Sequence, residues 1–422
     1  MEGVLTVRAR WIIIRPGLIL SDGGLILQDG QVQQWGLWKD LRLQVSPPIR
    51  DLGNVIVFPA WINCHTHLEY SHFSGWASPR PTSFVHWIEQ IIRFKTQSSP
   101  QQFRQSWEQG MQALLRQGVG TVFDHVSSPE AFAYAMQGHP IRRILFREIL
   151  CPQAGEREKE ARRILQEVQQ VRGKSRWEIG LAPHAPYSVI PRFLRQCVLL
   201  AVWDSRPLSI HVAESKEEWE MFVEGKGRLR EWLEGRGFPV GEIPRTSPVG
   251  WLIRQGMKGA GVLLIHGNYM TQEEMAFLGQ NKIPVVHCPG SHAFFGHRPF
   301  PYSSLRRYGV EVFLGVDSPA SVEPGPSGTL NVWEEARRFL RSFPGVSEWE
   351  VFAMMTAKPG RWLRQFGWRV GTLEKGAEAD FAVVSYEGKE KVLLESLLWE
   401  RNQVDGLMIQ GQWVIPPGAE EL

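Results

Sequence analysis

Two histidines separated by one residue, His65 and His67, close an apolar segment that begins at Val55. Side chains of a β-strand alternate between its two faces, so residues two apart point in the same direction. Neutral imidazoles are frequent ligands of divalent metals, and two adjacent ones supply half of a four-ligand site. The pair is a weak signal by itself. Its weight depends on whether other segments bring further ligands to the same place.

Several other apolar segments also end in residues that bind metals or carry protons. The residues at these ends are Asp124 with His125, Arg147 with Glu148, His184, His211, His266, His287 and Asp317. In a barrel of parallel strands such ends gather at one mouth, where active sites lie. Histidine at the ends of six segments, with aspartate after the last, favours a functional cluster over a structural coincidence.

The elements that would position these ends alternate between strand and helix. Eight segments are predicted as strands of the middle region: 55–62, 121–124, 144–148, 178–182, 208–210, 262–265, 283–286 and 310–316. Amphipathic stretches between them are predicted as helices, among them 103–117, 158–171, 216–233 and 271–281. The alternation predicts an α/β chain whose middle is a (β/α)8 barrel.

Both ends of the chain are rich in short strands and turns. Residues 1–58 contain apolar or alternating runs punctuated by Asp22-Gly23-Gly24 and Asp29-Gly30, which are hairpin turn signals. Residues 370–422 have the same character. We therefore expect a small composite β-sandwich domain from residues 1–58 and 370–422, and a catalytic barrel domain from residues 59–369.

The overall composition argues against several classes of protein. The 422 residues carry a formal net charge of +3 with the basic residues dispersed, so neither nucleic acid nor a membrane is expected as a partner. The four cysteines lack Cys-x-x-Cys spacing, which suits a reducing compartment. An acidic residue stands where a signal peptide would be basic, and no apolar run has membrane-spanning length. A cytoplasmic protein is expected.

Motifs at the predicted strand ends follow one another along nearly the whole chain. They are residues 59–67, 118–124, 182–188, 211–215, 265–268, 287–292 and 314–321. In this order they resemble the amidohydrolase superfamily, and residues 371–381 are similar to the return of the chain into that family's β-sandwich. Within the superfamily, the chain resembles the branch of cytosine, guanine and adenosyl-compound deaminases together with triazine hydrolases.

The resemblance implies one divalent metal ion held by His65, His67, His211 and Asp317. Three neutral imidazoles with one carboxylate suit Zn2+, which we expect, or Fe2+, and they leave a position for a reactive water. Binuclear members of the superfamily usually bridge their metals with a carbamylated lysine at strand 4. Residues 178–188 contain no lysine, so a mononuclear site is expected.

The resemblance also implies catalytic roles for Glu214, His266 and Asp317. Glu214 lies three residues after His211, and a helix beginning there would bring its carboxylate over the metal to shuttle a proton to the substrate ring. The same spacing also fits an acidic residue at a helix N-terminus. Asp317 would be both ligand and second proton acceptor. His266 would lie beside the bound hydroxide, or would itself be a fourth imidazole ligand.

Contacts with the substrate are expected from His184, Ser321, Glu69 and Arg147. His184 matches a substrate-contacting histidine of nucleoside-type deaminases, and Ser321 is similarly placed for a sugar or ring substituent. Glu69 and Arg147 would reach a ribose or a carboxylate, which arginine pairs with through two hydrogen bonds. His184, Glu69 and Arg147 are equally compatible with structural roles, and the role of His125 stays open.

The machinery implied by the resemblance adds metal-bound hydroxide to an sp2 carbon and expels ammonia from a small heterocycle, here an adenine-type nucleoside. The segments 65–71, 83–89 and 288–297 look closer to aminodeoxyfutalosine deaminases than to adenosylhomocysteine deaminases. The alternatives are a hydrolytic dehalogenase or triazine hydrolase and, further off, a metal-binding scaffold without catalysis. The resembled family also implies a homodimer.

Overall fold

The computed structural model describes residues 4–44, 48–73, 80–171, 173, 176–238, 245–259, 261–323 and 330–418. The strands of these residues are β1 (Val4–Arg15), β2 (Leu18–Gln28), β3 (Gln31–Leu37), β4 (Ile49–Asp51), β5 (Val55–Pro59), β6 (Trp61–Thr66), β7 (Val119–Val126), β8 (Arg142–Ile149), β9 (Trp177–Pro183), β10 (Leu208–Val212), β11 (Val262–His266), β12 (Val285–His287), β13 (Val312–Leu314), β14 (Phe381–Ser385), β15 (Gly406–Ile409) and β16 (Gln412–Ile415). The outermost parts of the predicted β-rich ends, residues 1–3 and 419–422, lie outside the described residues.

The α-helices of the same residues are α1 (Trp38–Leu41), α2 (Phe84–Gln97), α3 (Pro100–Arg116), α4 (Pro129–Ala135), α5 (Glu156–Gln170), α6 (Pro191–Asp204), α7 (Lys216–Trp219), α8 (Arg228–Gly235), α9 (Pro248–Arg254), α10 (Gln272–Gln280), α11 (Pro289–Phe295), α12 (Tyr302–Arg307), α13 (Val332–Ser342), α14 (Glu348–Met354), α15 (Ala357–Leu363) and α16 (Leu393–Glu400). Short 3-10 helices span Leu68–Phe73, Pro319–Ser321, Arg364–Phe366 and Glu390–Val392, and a π-helical turn spans Glu220–Glu224. None of these helices combines the length and apolar character that crossing a bilayer requires.

Strands β6 to β13 form the predicted barrel of eight parallel strands, paired in chain order. The first and last strands approach each other beyond their paired regions. The N–H groups of Val316 and Asp317 both donate to the carbonyl of His65, over 3.0 and 3.1 Å. In return, the N–H of His67 donates to the carbonyl of Asp317 over 3.0 Å. The barrel is therefore nearly closed at its carboxyl-terminal mouth, and the predicted fold is confirmed.

Alternate side chains of the barrel strands pack on opposite sides. On β8, Ile144 and Phe146 join the core inside the barrel, whereas Leu145 and Ile149 belong to the core between strands and helices. Every residue of this strand is buried, as expected of a parallel strand covered on both faces. A residue of even number at the end of β8 therefore faces the mouth of the barrel.

A second sheet collects strands from both ends of the chain in the order β16-β15-β14-β5-β1-β2-β3, with β4 paired to β1. Both β-rich ends thus meet in one structure, as predicted. The chain turns between β2 and β3 at Asp29 and Gly30, which have φ values of 52° and 77°. Such left-handed residues are what a tight hairpin turn requires. The division of the chain into two domains at residues 59 and 369 stays a prediction.

The predicted turn at Asp22-Gly23-Gly24 is wrong, because all three residues lie within β2. The glycines of this segment serve packing instead of a turn. A Cβ atom on Gly24 would lie 3.1 Å from the side chain of Leu41 and 3.2 Å from that of Trp38. Glycine therefore lets α1 lie directly on the strand.

The predicted strand 55–62 is also wrong, because it is divided between two sheets. Its first part is β5 in the terminal sheet, and its last residues begin β6 in the barrel. The break falls at Ala60, whose N–H donates to the carbonyl of Asp380 over 3.0 Å. Both strands are buried along their whole length, so the pattern of polar and apolar residues does not change at the break.

The predicted helix 216–233 is three elements: α7, the π-helical turn and α8. Gly225 and Gly227, with φ values of 69° and 102°, stand between the turn and α8. Glycine adopts these left-handed values without steric cost and ends the helical run.

A buried ion pair joins the foot of the barrel to the terminal sheet. Arg142, at the start of β8, donates to Asp380 over 2.7 Å and to Glu378 over 2.5 Å. The arginine side chain is only 1% exposed. Removal of the arginine leaves the buried carboxylate of Asp380 without its compensating charge.

The four cysteines, Cys64, Cys151, Cys197 and Cys288, are buried and form no disulfide.

Candidate metal centre and active-site cavity

Four predicted ligands converge at the carboxyl-terminal mouth of the barrel. The Nε2 atoms of His67 and His211 are 3.3 Å apart. Asp317 Oδ1 lies 3.4 Å from His65 Nε2 and 3.9 Å from His67 Nε2. All four residues are buried. The side-chain ligand atoms of His65, His67 and His211 lie within 4.8 Å of one another, and so do those of His65, His266 and Asp317.

The spacing of these atoms fits a divalent ion. Ligands placed 2.0–2.1 Å from a tetrahedral Zn2+ are about 3.4 Å from one another. His65 Nε2 has no hydrogen-bond partner among the described residues, although it is buried. Burial also lowers the pKa of His65 and of His67 well below the ordinary value, so both imidazoles are uncharged. Neutral imidazoles and one carboxylate are a suitable donor set for such an ion.

Two hydrogen bonds fix the direction of the imidazole lone pairs. Nδ1 of His211 lies 3.1 Å from the carbonyl of His184 and donates to it, which leaves Nε2 unprotonated and turned toward the cluster. His65 Nδ1 lies 3.0 Å from Nδ1 of His125, and Nε2 of His125 lies 2.8 Å from Ser209 Oγ. His125 therefore contacts a candidate ligand from behind. Such contacts orient metal-binding histidines.

Glu214 lies beside this cluster, with Oε1 3.6 Å from Nε2 of His266. Ser215 caps α7, which begins at Lys216, so Glu214 lies just before the helix. The carboxylate is instead aimed by a bend in which Ala213 has a φ of 50°. The N–H of Glu214 donates to Glu218 over 2.9 Å, and this bond holds the bend in place.

The pKa values of the two buried carboxyl groups are displaced in opposite directions. Burial, with Asp317 and Glu218 nearby, raises the pKa of Glu214 well above its ordinary value. Burial alone would also raise the pKa of Asp317, but neighbouring histidines and two serine hydroxyls lower it below its ordinary value. Of these serines, Ser321 donates to Asp317 Oδ2 over 2.8 Å. Two carboxyl groups displaced in this way can take different roles in proton transfer.

His266 reaches the site through an unusual backbone conformation. It closes β11 with a φ of 71°, and the following Gly267 has a φ of 59°. Such values are uncommon for residues other than glycine and are found most often where function requires them. The ring-centroid distance from His266 to His65 is 5.7 Å. His266 thus stands at the edge of the ligand cluster and next to Glu214.

A cavity of about 380 Å³ opens from this cluster. Its inner end is lined by His67, His211, Glu214, His266 and Asp317. The remaining walls are mainly apolar and include Trp87, Ile88, Ile91, Ile92, Leu150, Trp232, Leu233 and Phe238, together with the arginines Arg157 and Arg236. A cavity of this size and lining suits a small molecule with one polar, reacting end.

Of the predicted substrate contacts, His184 lines the cavity and Ser321 does not. Nδ1 of His184 lies 2.7 Å from Ser188 Oγ. Ser321 is fully buried behind Asp317, so it holds the carboxylate instead of facing the cavity.

Glu69 and Arg147 lie behind the cavity wall and are not among the described residues that line it. The carboxylate of Glu69 accepts from the N–H groups of Ser127 and Ser128, over 3.1 and 2.8 Å. Arg147 donates to the carbonyl of Val126 over 3.0 Å and to that of Ser127 over 2.5 Å. Both residues hold the loop after β7 in place through these hydrogen bonds, and the structure does not support their contact with a substrate.

Two polar residues of the cavity wall, Glu148 and Lys95, were not predicted as substrate contacts. The signal for Glu148 was present in the sequence of β8. It shares the parity of Ile144 and Phe146, which face the inside of the barrel, whereas Arg147 has the opposite parity. Lys95 lies on α2, which contributes to the cavity wall, and no strand-end pattern points to it.

A model of the amidohydrolase family matches residues 56–414. The chain belongs to the amidohydrolase family. It is 29% identical over 367 residues to the aminodeoxyfutalosine deaminase of Deinococcus radiodurans, and the match covers 84% of each chain. Two solved structures have the same fold. One is the aminofutalosine deaminase of Helicobacter pylori, with a TM-score of 0.83, 20% identity, and coverage of 98% of this chain and 100% of the other. The second is an adenosine deaminase of Xanthomonas campestris with bound zinc, with a TM-score of 0.82, 20% identity, and coverage of 98% and 93%.

Membership in this family makes the chain a hydrolase that acts on C–N bonds. Members of the family bind a divalent metal ion. The buried cluster of His65, His67 and His211 is a site where such an ion fits in this chain.

Proposed function

We propose that this amidohydrolase deaminates an adenine-type nucleoside. The observation that carries the proposal is the position of Glu214, buried at the inner end of the cavity and 3.6 Å from His266. A proton carrier at this point is what hydrolytic deamination of a heterocycle requires, because a water must lose a proton and a ring nitrogen must gain one. The aminodeoxyfutalosine deaminase among its relatives supports an adenine-type nucleoside as the substrate.

His65, His67, His211 and Asp317 would hold one divalent ion, for which we propose Zn2+, with Fe2+ as the alternative. When bound, the ion would supply a Lewis acid that lowers the pKa of a water molecule. The proton transfers of the reaction are assigned to side chains of the protein.

In the proposed reaction, Glu214 accepts a proton from the attacking water and transfers it to the ring nitrogen next to the reacting carbon. His266 donates a hydrogen bond to the oxygen that adds to the reacting carbon and stabilises the charge that develops there. Asp317, held by Ser321, accepts the second proton of the water. That proton then passes to the leaving amino group. A C–O bond forms, the C–N bond breaks, and ammonia leaves.

The mainly apolar walls of the cavity support a substrate with an extended, largely apolar substituent. Trp87 on α2 and Trp232 on α8 lie among these wall residues. Aromatic and aliphatic side chains of this kind bury apolar surface with little directional constraint. We therefore propose an aminodeoxyfutalosine-like compound in preference to free adenine, guanine or cytosine.

The proposal is tested by ammonia release from the zinc-loaded protein against aminodeoxyfutalosine, adenosine, methylthioadenosine, adenosylhomocysteine, guanine, cytosine and a chlorotriazine. We expect kcat/KM above about 10⁴ M⁻¹s⁻¹ for at least one adenine nucleoside. Chloride release from the triazine without ammonia release from any nucleoside would show a hydrolytic dehalogenase instead. No turnover of any compound by protein that holds one zinc per chain would refute the proposal.

A further inference from the structure

The cavity wall contains a buried carboxylate that has no role in the proposed reaction. Glu148 lies at the end of β8, is 5% exposed, and lines the cavity. Its Oε1 atom has no hydrogen-bond partner among the described residues. A buried acceptor without a donor is costly, and the cost is removed when a ligand supplies the donor.

The neighbours of Glu148 include one of the candidate metal ligands. Side-chain ligand atoms of Glu148, His184 and His211 lie within 4.8 Å of one another. Lys95 also lines the cavity, and it donates to Tyr70 over 2.9 Å and to Ser127 over 2.6 Å. These two bonds use two of the three ammonium protons and leave one for a further acceptor. The region thus presents both an acceptor and a donor to a bound molecule.

Glu148, His184 and His211 are close enough to bind a second cation. However, neither ring nitrogen of His211 is available to bind it. Nδ1 of His211 is used on the carbonyl of His184. Nε2 of His211 faces Nε2 of His67 across 3.3 Å, in the first cluster. An imidazole nitrogen has one lone pair and binds one metal. Glu148 is therefore better suited to a hydrogen-bond donor of an organic ligand.

The chemistry of an adenine nucleoside limits which donor this is. The amino group is the donor that the base carries, and it must lie at the inner end, where it leaves. The remaining ring nitrogens of a base substituted at N9 are acceptors, and they offer no donor to the unpartnered Oε1 of Glu148. The hydroxyl groups of the sugar are donors and acceptors at once. They match a wall that carries a carboxylate and an ammonium group.

We propose that Glu148 is a specificity-determining residue that accepts a hydrogen bond from a ribose hydroxyl of the substrate. This inference rests on the proposed function. It predicts that the enzyme distinguishes ribosides from deoxyribosides and that Glu148 is the cause. Hydrogen bonds to charged groups of this kind contribute enough that loss of the hydroxyl should lower kcat/KM about 10- to 100-fold.

The test compares adenosine, 2′-deoxyadenosine and 3′-deoxyadenosine as substrates of the wild-type protein and of Glu148→Ala and Glu148→Gln. In the wild type, one deoxy compound should lose about 10- to 100-fold in kcat/KM, mainly through KM. In Glu148→Ala, kcat/KM for adenosine should fall to the value for that deoxy compound, so that the preference for the riboside disappears. Glu148→Gln, which keeps an uncharged acceptor, should retain part of the preference. Leu150→Ala, two residues away on the cavity wall, should change kcat/KM for all three substrates by the same factor.

Three results would overturn the inference. An unchanged preference in Glu148→Ala would show that another group reads the sugar, and an equal loss on all three substrates would show a structural role. A zinc content of two per chain that falls to one in Glu148→Ala would make the residue a metal ligand. A wild-type protein that deaminates no adenine nucleoside would instead refute the proposed function, and this inference with it.

Discussion

The contact between His125 and His65 allows a quantitative prediction about the metal centre. Replacement of His125 by phenylalanine keeps an aromatic ring, which stacks on Phe146 with a centroid distance of 4.9 Å. It removes the 3.0 Å hydrogen bond to His65 and the 2.8 Å bond to Ser209. Loss of a group that orients a ligand histidine typically weakens metal binding by about 10- to 100-fold. This factor equals about 1.4 to 2.8 kcal/mol.

The affinity is measured by competition for zinc between the metal-free protein and a chromogenic chelator. Ser209→Ala should give a smaller loss than His125→Phe, because His125 keeps its bond to His65. His139→Phe is the matched control, since His139 packs against Trp107 away from the cluster and should bind zinc as the wild type does. Wild-type affinity in His125→Phe would refute the conclusion that this residue orients a metal ligand.

Three further predictions concern the proton carrier and the stability of the fold. Glu214→Gln should retain zinc and lose at least about 100-fold in kcat, measured by ammonia release, and a wild-type rate would remove its role as proton carrier. Arg142→Ala should lower the free energy of unfolding by about 3–5 kcal/mol in urea denaturation, because Asp380 stays buried without its partner, and a loss below about 1 kcal/mol would contradict this. Burial raises the pKa of Glu335 from 4.5 to about 8, so the folded chain keeps this carboxyl protonated where the unfolded chain ionises it. Stability from this group is full below pH 4.5 and is lost as the pH rises toward 8. The urea midpoint of Glu335→Gln should therefore fall less between pH 6 and pH 9 than that of the wild type, and parallel curves would contradict the assignment.

The positions of the ligand cluster could be predicted because each residue ends an apolar segment. His211 and His266 follow runs that are buried throughout, and the topology of a barrel brings such ends together whatever the lengths of the connections. The type of each residue and its position at the end of a strand were sufficient to predict the cluster, and no detail of side-chain packing was needed.

The residues around the cluster could be predicted less well, because their roles depend on which way one side chain points. Arg147 and Glu148 are adjacent, and only the register of β8 decides that the glutamate faces the cavity. Glu69 has the chemistry of a substrate contact, but its carboxylate is already used by two backbone N–H groups of the loop after β7. Hydrogen bonds between residues distant in sequence carry no local signal. The break at Ala60 was missed for the same reason, since it depends on the carbonyl of Asp380.

The proposed deamination by one metal ion is tested most directly by titration of zinc into chelator-stripped protein while ammonia release from an adenine nucleoside is followed. We predict no activity without metal, a linear rise up to one equivalent of zinc per chain, and no further increase. The same titration of Asp317→Ala should give neither tight zinc binding nor turnover. Full activity of the stripped protein, or a rise that ends only at two equivalents, would contradict the proposed centre.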